Sequence, residues 1–181
     1  MMKTLRAFLA LLALLALASG LLGCDASKTP FTYETRGEGV VVTGIKDDKV
    51  VDLKIPEILD GKPVVAIGGR AFCERPLLRM AIVPETVEEI EGGAFLGCTG
   101  MSSATLPKNL KRVGDGAFYD CKNLISLTVY GTLTEIGEKA FPKSVELIGP
   151  PETVAQKWAE ENGVRYQLLS ELERTKEEEL E

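Results

Sequence analysis

The sequence predicts a mainly β fold: a solenoid of about four 23-residue coils, with an N-terminal β-hairpin cap and a C-terminal helical cap. The first observation is repetition. The words GRAFCER, GGAFLGC, DGAFYDC and EKAFPKS recur in steps of 23 residues and bring Phe72, Phe95, Phe118 and Phe141 into register. The second is that other apolar slots keep the same frame, from Ala71, Ala94, Ala117 and Ala140 to Val64, Val87, Leu110 and Leu133. The third is size. A unit of this length cannot enclose a core, so its apolar slots must be buried against the next copy.

In chain order, residues 1–23 read as a leader. Lys3 and Arg6 precede an uncharged run from Ala7 to Leu22, shorter than the roughly 20 residues that span a membrane and typical of an export signal. The run stops at LLGC, which resembles a bacterial lipobox. That resemblance implies cleavage before Cys24, lipid on its thiol and on the new amino terminus, and hence a membrane as a partner. Several acyl chains anchor stably where one is marginal. Residues 24–30 are the lipidated Cys and a short linker. Removing Lys3 and Arg6 takes two from 21 basic side chains and none from 27 acidic ones, so the mature chain is net negative by about 8. Nucleic acid is excluded as a partner, since phosphate neutralisation needs clustered Lys and Arg.

Residues 31–55 are the N-terminal β cap. FTYET and VVVTG flank the turn signal RGEG, and Val50 to Ile55 lead into the array. The repeats occupy 56–149. ISLTVY alternates so that Leu127 and Val129 point inward while Ser126 and Thr128 face out. TLTEIG offers Leu133 and Ile136 as a second extended piece. EGGAFLGC and GDGAFYDC form tight turns that present Ala and Phe, with Gly92 and Gly116 expected to supply backbone freedom. Stacking at the strand spacing of about 4.8 Å turns the four rings into one column. Phe141, near the end of the array, is expected to be the least supported.

The spacing I/V-P-x-x-V/L-x-x-I/V-x-x-x-A-F-x-x-C resembles the BspA-like leucine-rich repeat family of bacterial surface proteins. The resemblance covers Phe31 to about Gln167, with IPEILDGKPVVAIGGRAF as the lead-in to the first full repeat and a longer connection through DGKP. It implies a leucine-rich repeat solenoid, and in some members adhesion to or recognition of protein partners. The fourth repeat departs from the pattern: Pro142 follows Phe141, Ser144 replaces the Cys, and SVELIGPP is short, so the array is expected to end there.

Residues 150–168 are the C-terminal helix and strand cap. Thr153 is the expected N-cap, Gln156 completes a capping box and Gly163 is the C-cap. Val154 and Trp158 share a face, and Trp158 plugs the last coil. Residues 169–181 form an acidic tail, in which ELERTKEEELE carries six Glu against Arg174 and Lys176.

The chemistry-bearing residues argue against catalysis. No His occurs, so a serine nucleophile has no imidazole base. Cys73, Cys98 and Cys121 stand too far apart for a zinc site, and Asp47 and Asp48 in KDDK are expected in a hairpin turn, without the further oxygens a calcium loop needs. No metal and no cofactor is expected. Glu88, Glu89 and Glu91 read as a solvated face. Cys98 and Cys121 share a slot, where stacking sets their side chains parallel rather than facing, which favours free buried thiols.

The expected function is therefore a cell-envelope lipoprotein that binds a protein partner. Contact is expected on the outward strand slots Met80 and Ile82, Ser103 and Thr105, Ser126 and Thr128, unless Met80 and Ile82 pack beneath the N-terminal hairpin. The alternative is an envelope spacer with no dedicated ligand. Asp25 resembles an inner-membrane retention signal of some double-membrane bacteria and means nothing of the kind in single-membrane ones.

Overall fold

The computed structural model describes residues 29–171. The leader, Cys24, and the tail from residue 172 lie outside the described residues. FTYETR and GVVVTGI form the antiparallel hairpin β1 (Phe31–Arg36) and β2 (Gly39–Ile45), closed by Gly37 at φ 59°. The KDDK segment after it is a turn, held by the Lys49 N–H on Asp47 Oδ1 at 2.9 Å. It does not close a hairpin, because the next strand, β3 (Asp52–Lys54), belongs to another sheet. The DGKP connection contains a second hairpin, β4 (Ile58–Leu59) with β5 (Lys62–Ile67), in which Asp60 and Gly61 both take positive φ. That is the two-residue turn Asp-Gly favours between strands.

From β5 onward each coil contributes two strands, one to each side of the solenoid. One sheet runs β1-β2-β5-β7-β9-β11, with β7 (Glu89–Ile90), β9 (Arg112–Val113) and β11 (Glu135–Ile136) stacked in parallel. The other side is two parallel sheets. The first is β3-β6-β8, with β6 (Met80–Ile82) and β8 (Ser103–Thr105). The second is β10-β12-β13, with β10 (Ser126–Thr128), β12 (Glu146–Gly149) and β13 (Arg165–Leu168). Counted on this side the solenoid has six rungs, more than the four its Phe residues mark. β3, assigned from sequence to the cap, is already a rung, and the stack continues through β12 to β13 instead of ending at the fourth repeat.

The core is the predicted set of ladders. Phe72, Phe95 and Phe118 are fully buried, and the centroids of the four successive rings stand 5.3, 5.1 and 5.7 Å apart at interplanar angles below 20°. Backbone bonds fix that spacing. Phe72, Phe95 and Phe118 each donate N–H to the carbonyl of Ala94, Ala117 and Ala140 in the following coil, at 2.7 to 2.8 Å. The turn before each ring needs a left-handed residue, and it is Gly93 rather than Gly92. Arg70, Gly93, Gly116 and Lys139 share this slot with φ of 58°, 64°, 60° and 52°. A side chain there costs about 1 to 2 kcal/mol, which Arg70 and Lys139 bear and the inner coils avoid.

Among the described residues the three thiols, Cys73, Cys98 and Cys121, are free. Cys98 Sγ–H donates to the Phe72 carbonyl at 3.0 Å and Cys121 Sγ–H to that of Phe95 at 3.2 Å. The slot thus selects a small apolar group that still satisfies a buried carbonyl. Burial pushes the Cys98 thiol up to about 11, against lesser lowering by a hydrogen bond and the charge of Arg75, and burial likewise pushes Cys121 up to about 12. Such thiols are neutral and unreactive near neutrality.

The last coil is not frayed. Helix α1 (Val154–Asn162) lays Trp158 edge-on against Phe141, with centroids 5.5 Å apart at 83°, and the indole N–H donates to Gly137 O at 3.1 Å. Phe141 is only 2 % exposed. The face that docks is Ala155, Trp158 and Ala159, while Val154 points to solvent at 42 % exposure, since it begins the helix one turn above the contact. Thr153 Oγ1 accepts from Gln156 N as expected, but Gln156 Oε1 accepts from Glu152 N rather than from the N-cap. Gly163 closes the helix in the left-handed conformation.

Two outcomes follow. Phe118→Ala should cost about 3 to 5 kcal/mol in chemical denaturation, and Phe141→Ala should fall in the same range because Trp158 holds the cavity open. A clearly smaller loss at Phe141 would contradict the capped column. The thiols favour the folded state fully below the ordinary thiol value of 9.0, and that contribution is lost as pH rises from there toward about 11 for Cys98 and about 12 for Cys121. The stability of the wild type should therefore decline more steeply between pH 9 and 11 than that of the Cys98→Ser, Cys121→Ser double variant, as followed by urea midpoints.

Candidate binding face

Strand pairing decides which outward side chains become neighbours. Asp52, Met80 and Ser103 stand opposite one another on β3, β6 and β8, and so do Lys54, Ile82 and Thr105. Beyond the break in the ladder, Ser126, Glu146 and Arg165 align on β10, β12 and β13, and Thr128, Ile148 and Gln167 beside them. Between these columns the inward residues Leu53, Ala81, Leu127 and Leu147 are buried. The six residues expected from the sequence thus lie on one side of the solenoid, as two rungs of a three-rung set and one rung of another.

Their surroundings differ from the expectation in two respects. Met80 and Ile82 are half-buried and do not end the face, because β3 lies beyond them and sets Asp52 and Lys54 in their columns. The N-terminal hairpin is not what flanks them, since β1 and β2 extend the opposite sheet. The second is the charged flank formed by Glu146 and Arg165, beside the buried Ile148, with the Arg165 guanidinium 4.0 Å from Glu146. These positions escaped the sequence reading because the 23-residue frame misses them. Ser126 pairs with Glu146, only 20 residues on, and β13 returns only after a helix.

The opposite sheet carries the carboxylate cluster, and it is neutralised. Arg36 reaches Glu91 at 2.6 Å and Glu89 at 3.4 Å, Arg112 bridges Glu89 and Glu135, and Lys111 meets Glu88 at 2.7 Å. Residues 89, 112 and 135 occupy one slot of the repeat, so the alternation Glu, Arg, Glu becomes an ion-pair ladder across β7, β9 and β11. Burial works to raise the Glu91 carboxyl, but the Arg36 hydrogen bond, the Gly69 N–H and the charges of Arg36 and Arg112 hold it below the usual carboxylate value. Exposed pairs of this kind are worth little each.

Among the described residues no group of His, Cys, Asp and Glu could hold a metal ion, and no helix is long and apolar enough to cross a membrane. With this geometry in hand, the comparisons with known proteins are decisive about family. A model of the BspA type leucine rich repeat region matches residues 53–155 in six copies. The chain belongs to the BspA-type leucine-rich repeat family. Solved structures with the same fold include a leucine-rich repeat protein from Bacteroides ovatus, 24 % identical at a TM-score of 0.59, covering 78 % of this chain and 40 % of that one. One from Bacteroides capillosus is 24 % identical at 0.59, covering 65 % of this chain and 94 % of that one. One from T. pallidum is 20 % identical at 0.53, covering 66 % and 68 %. This chain therefore spans less than half the length of the Bacteroides ovatus protein. No curated protein sequence matches it.

Proposed function

We propose that this BspA-type repeat protein is an extracytoplasmic lipoprotein, anchored through Cys24, that binds a protein partner on the strand face of β3, β6, β8, β10, β12 and β13. The observation that carries the reading is that face. It is built from short parallel rungs whose inward residues are fixed by the core while the outward ones are not, so it offers an extended surface whose chemistry varies from coil to coil. The opposite sheet has its outward charges engaged with one another, which leaves less for a partner to recognise.

Within the face, Met80 and Ile82 supply half-exposed apolar side chains beside the charges of Asp52 and Lys54. An apolar centre with a polar and charged rim is the usual anatomy of a protein contact. Ser103, Thr105 and Ser126 are exposed and Thr128 partly so, giving adjustable hydrogen-bonding groups next to that centre. The leader and LLGC support export and a lipid anchor. Attachment at the membrane would hold the face in the space just outside it, on a linker of a few residues.

Ile82→Glu places a charge in the half-buried apolar pair and should weaken capture of the partner at least tenfold while leaving the thermal transition in place. Glu88→Lys, on the opposite sheet, should leave binding unchanged. The assay is affinity capture from envelope extracts, then titration of the recovered protein. Equal affinity of wild type and a folded Ile82→Glu chain would remove this face. Separately, Cys24→Ala should abolish fatty-acid labelling and leave the larger precursor, and label that persists in the mutant would end the lipoprotein reading.

A further inference from the structure

Independently of the strand face, the fourth coil opens a cleft. In the three preceding coils nine positions separate the Phe from the inward strand residue: Phe72 from Ala81, Phe95 from Ala104, Phe118 from Leu127. In the fourth, only six separate Phe141 from Leu147, which pairs with Leu127. The Val145 N–H bonds Pro142 O as the Leu124 N–H bonds Cys121 O, so Pro142 stands in the Cys121 slot and two of the three missing residues belong to the arm that in the third coil begins Tyr119-Asp120. That part of the arm has no equivalent stacked on it. Where the equivalent would lie there is a cleft of about 400 Å³ between the Tyr119 to Lys122 arm and the end of α1. This volume falls within the range of small-molecule sites.

The lining of the cleft is specific. Phe141, Pro142 and Trp158 contribute an apolar floor, and the indole N–H is already satisfied by Gly137 O, so that ring asks for no polar partner. Three lysines are among the residues that line the cleft, Lys122, Lys139 and Lys143. The carboxylate in the lining is Asp120, and it is engaged with Lys122 at 3.2 Å. Lys139 occupies the slot that is Gly93 and Gly116 in the coils before, and Lys143 lies in the segment that departs from the repeat. The carbonyls at the end of α1 are taken up by the N–H groups of Gly163 and Val164 and by Asn162 Nδ2, which limits their pull on the lysines. In a chain of net charge −6, this is a locally cationic concavity.

We propose that the cleft binds a small organic anion, a carboxylate carried on a flat apolar body. The body would lie against the Phe141 and Trp158 edges and the carboxylate would meet the ammonium groups of Lys139 and Lys143. A purely inorganic anion would leave the apolar floor unused, and a neutral apolar molecule would leave the lysines unused. The pairing of the two surfaces selects a molecule with both.

Trp158 is the protein's one tryptophan, so its emission reports on the cleft directly. The full chain in detergent is titrated with phenylacetate and with phenylacetamide, which has the same body and no charge. The expected result is a saturable shift of Trp158 emission by phenylacetate, with affinity at least tenfold weaker for phenylacetamide. The Lys139→Ala, Lys143→Ala double variant should lose at least tenfold for phenylacetate, whereas Lys157→Ala, on the exposed side of α1, should bind as wild type. Equal affinities for acid and amide, or no saturation, would overturn the proposal. So would undiminished binding of phenylacetate by the double variant. Should that variant lose its native circular dichroism, the acid and amide comparison on the wild type decides.

Discussion

The molecule depends on one interaction repeated: the amides of Phe72, Phe95 and Phe118 each donate to the carbonyl of the Ala one coil later. This bond lies in a turn, not in a strand, so even the irregular part of each coil stacks at strand spacing. Once that is imposed, every equivalent residue becomes a neighbour of its own copies. Rings fall face to face at just above 5 Å, thiols fall beneath the carbonyl of the coil before, and charges at residues 89, 112 and 135 fall into a ladder. A residue that suits one coil suits the next for the same reason, and the sequence repeats because the environment does.

A stack of coils also has ends, and each end must satisfy a row of backbone groups and cover a ring. At the N-terminus the β1-β2 hairpin adds to one sheet while β3 begins the other, so the two sides start by different means. At the C-terminus, α1 turns Trp158 edge-on to the last ring, and β13 pairs with β12. A fifth Phe would have demanded another full coil. The edge-on indole ends the column while its N–H is satisfied by the coil below, so a single residue closes the core without leaving a buried donor unpaired.

The same logic separates constraint from function. Inward slots cannot vary without a cavity or strain, whereas outward slots and the capping segments can. It is therefore in those places that the chain departs from its own repeat: Asp52 and Lys54 beside Met80 and Ile82, Glu146 and Arg165 at the far end, and the lysine-rimmed cleft left by the shortened fourth coil. Regular coils make a rigid frame, and irregular ones give it chemistry.

Repetition made most of the core legible in the sequence. A slot occupied by Phe four times, by Cys twice and by Val or Leu four times can only be a stacked interior, and each of these residues is buried. The hairpin at RGEG, the cap at Thr153 and the plug at Trp158 were also readable, because turn and capping chemistry is local. The tertiary structure decided what depends on contacts between segments of unequal length. No periodicity tells that Glu146 pairs with Ser126 at a 20-residue step, or that β13 rejoins the stack after a helix. Nor does it show that Arg36 crosses to Glu91. The length of a coil is written in the sequence, but the space opened by a short one exists only when its neighbours are in place.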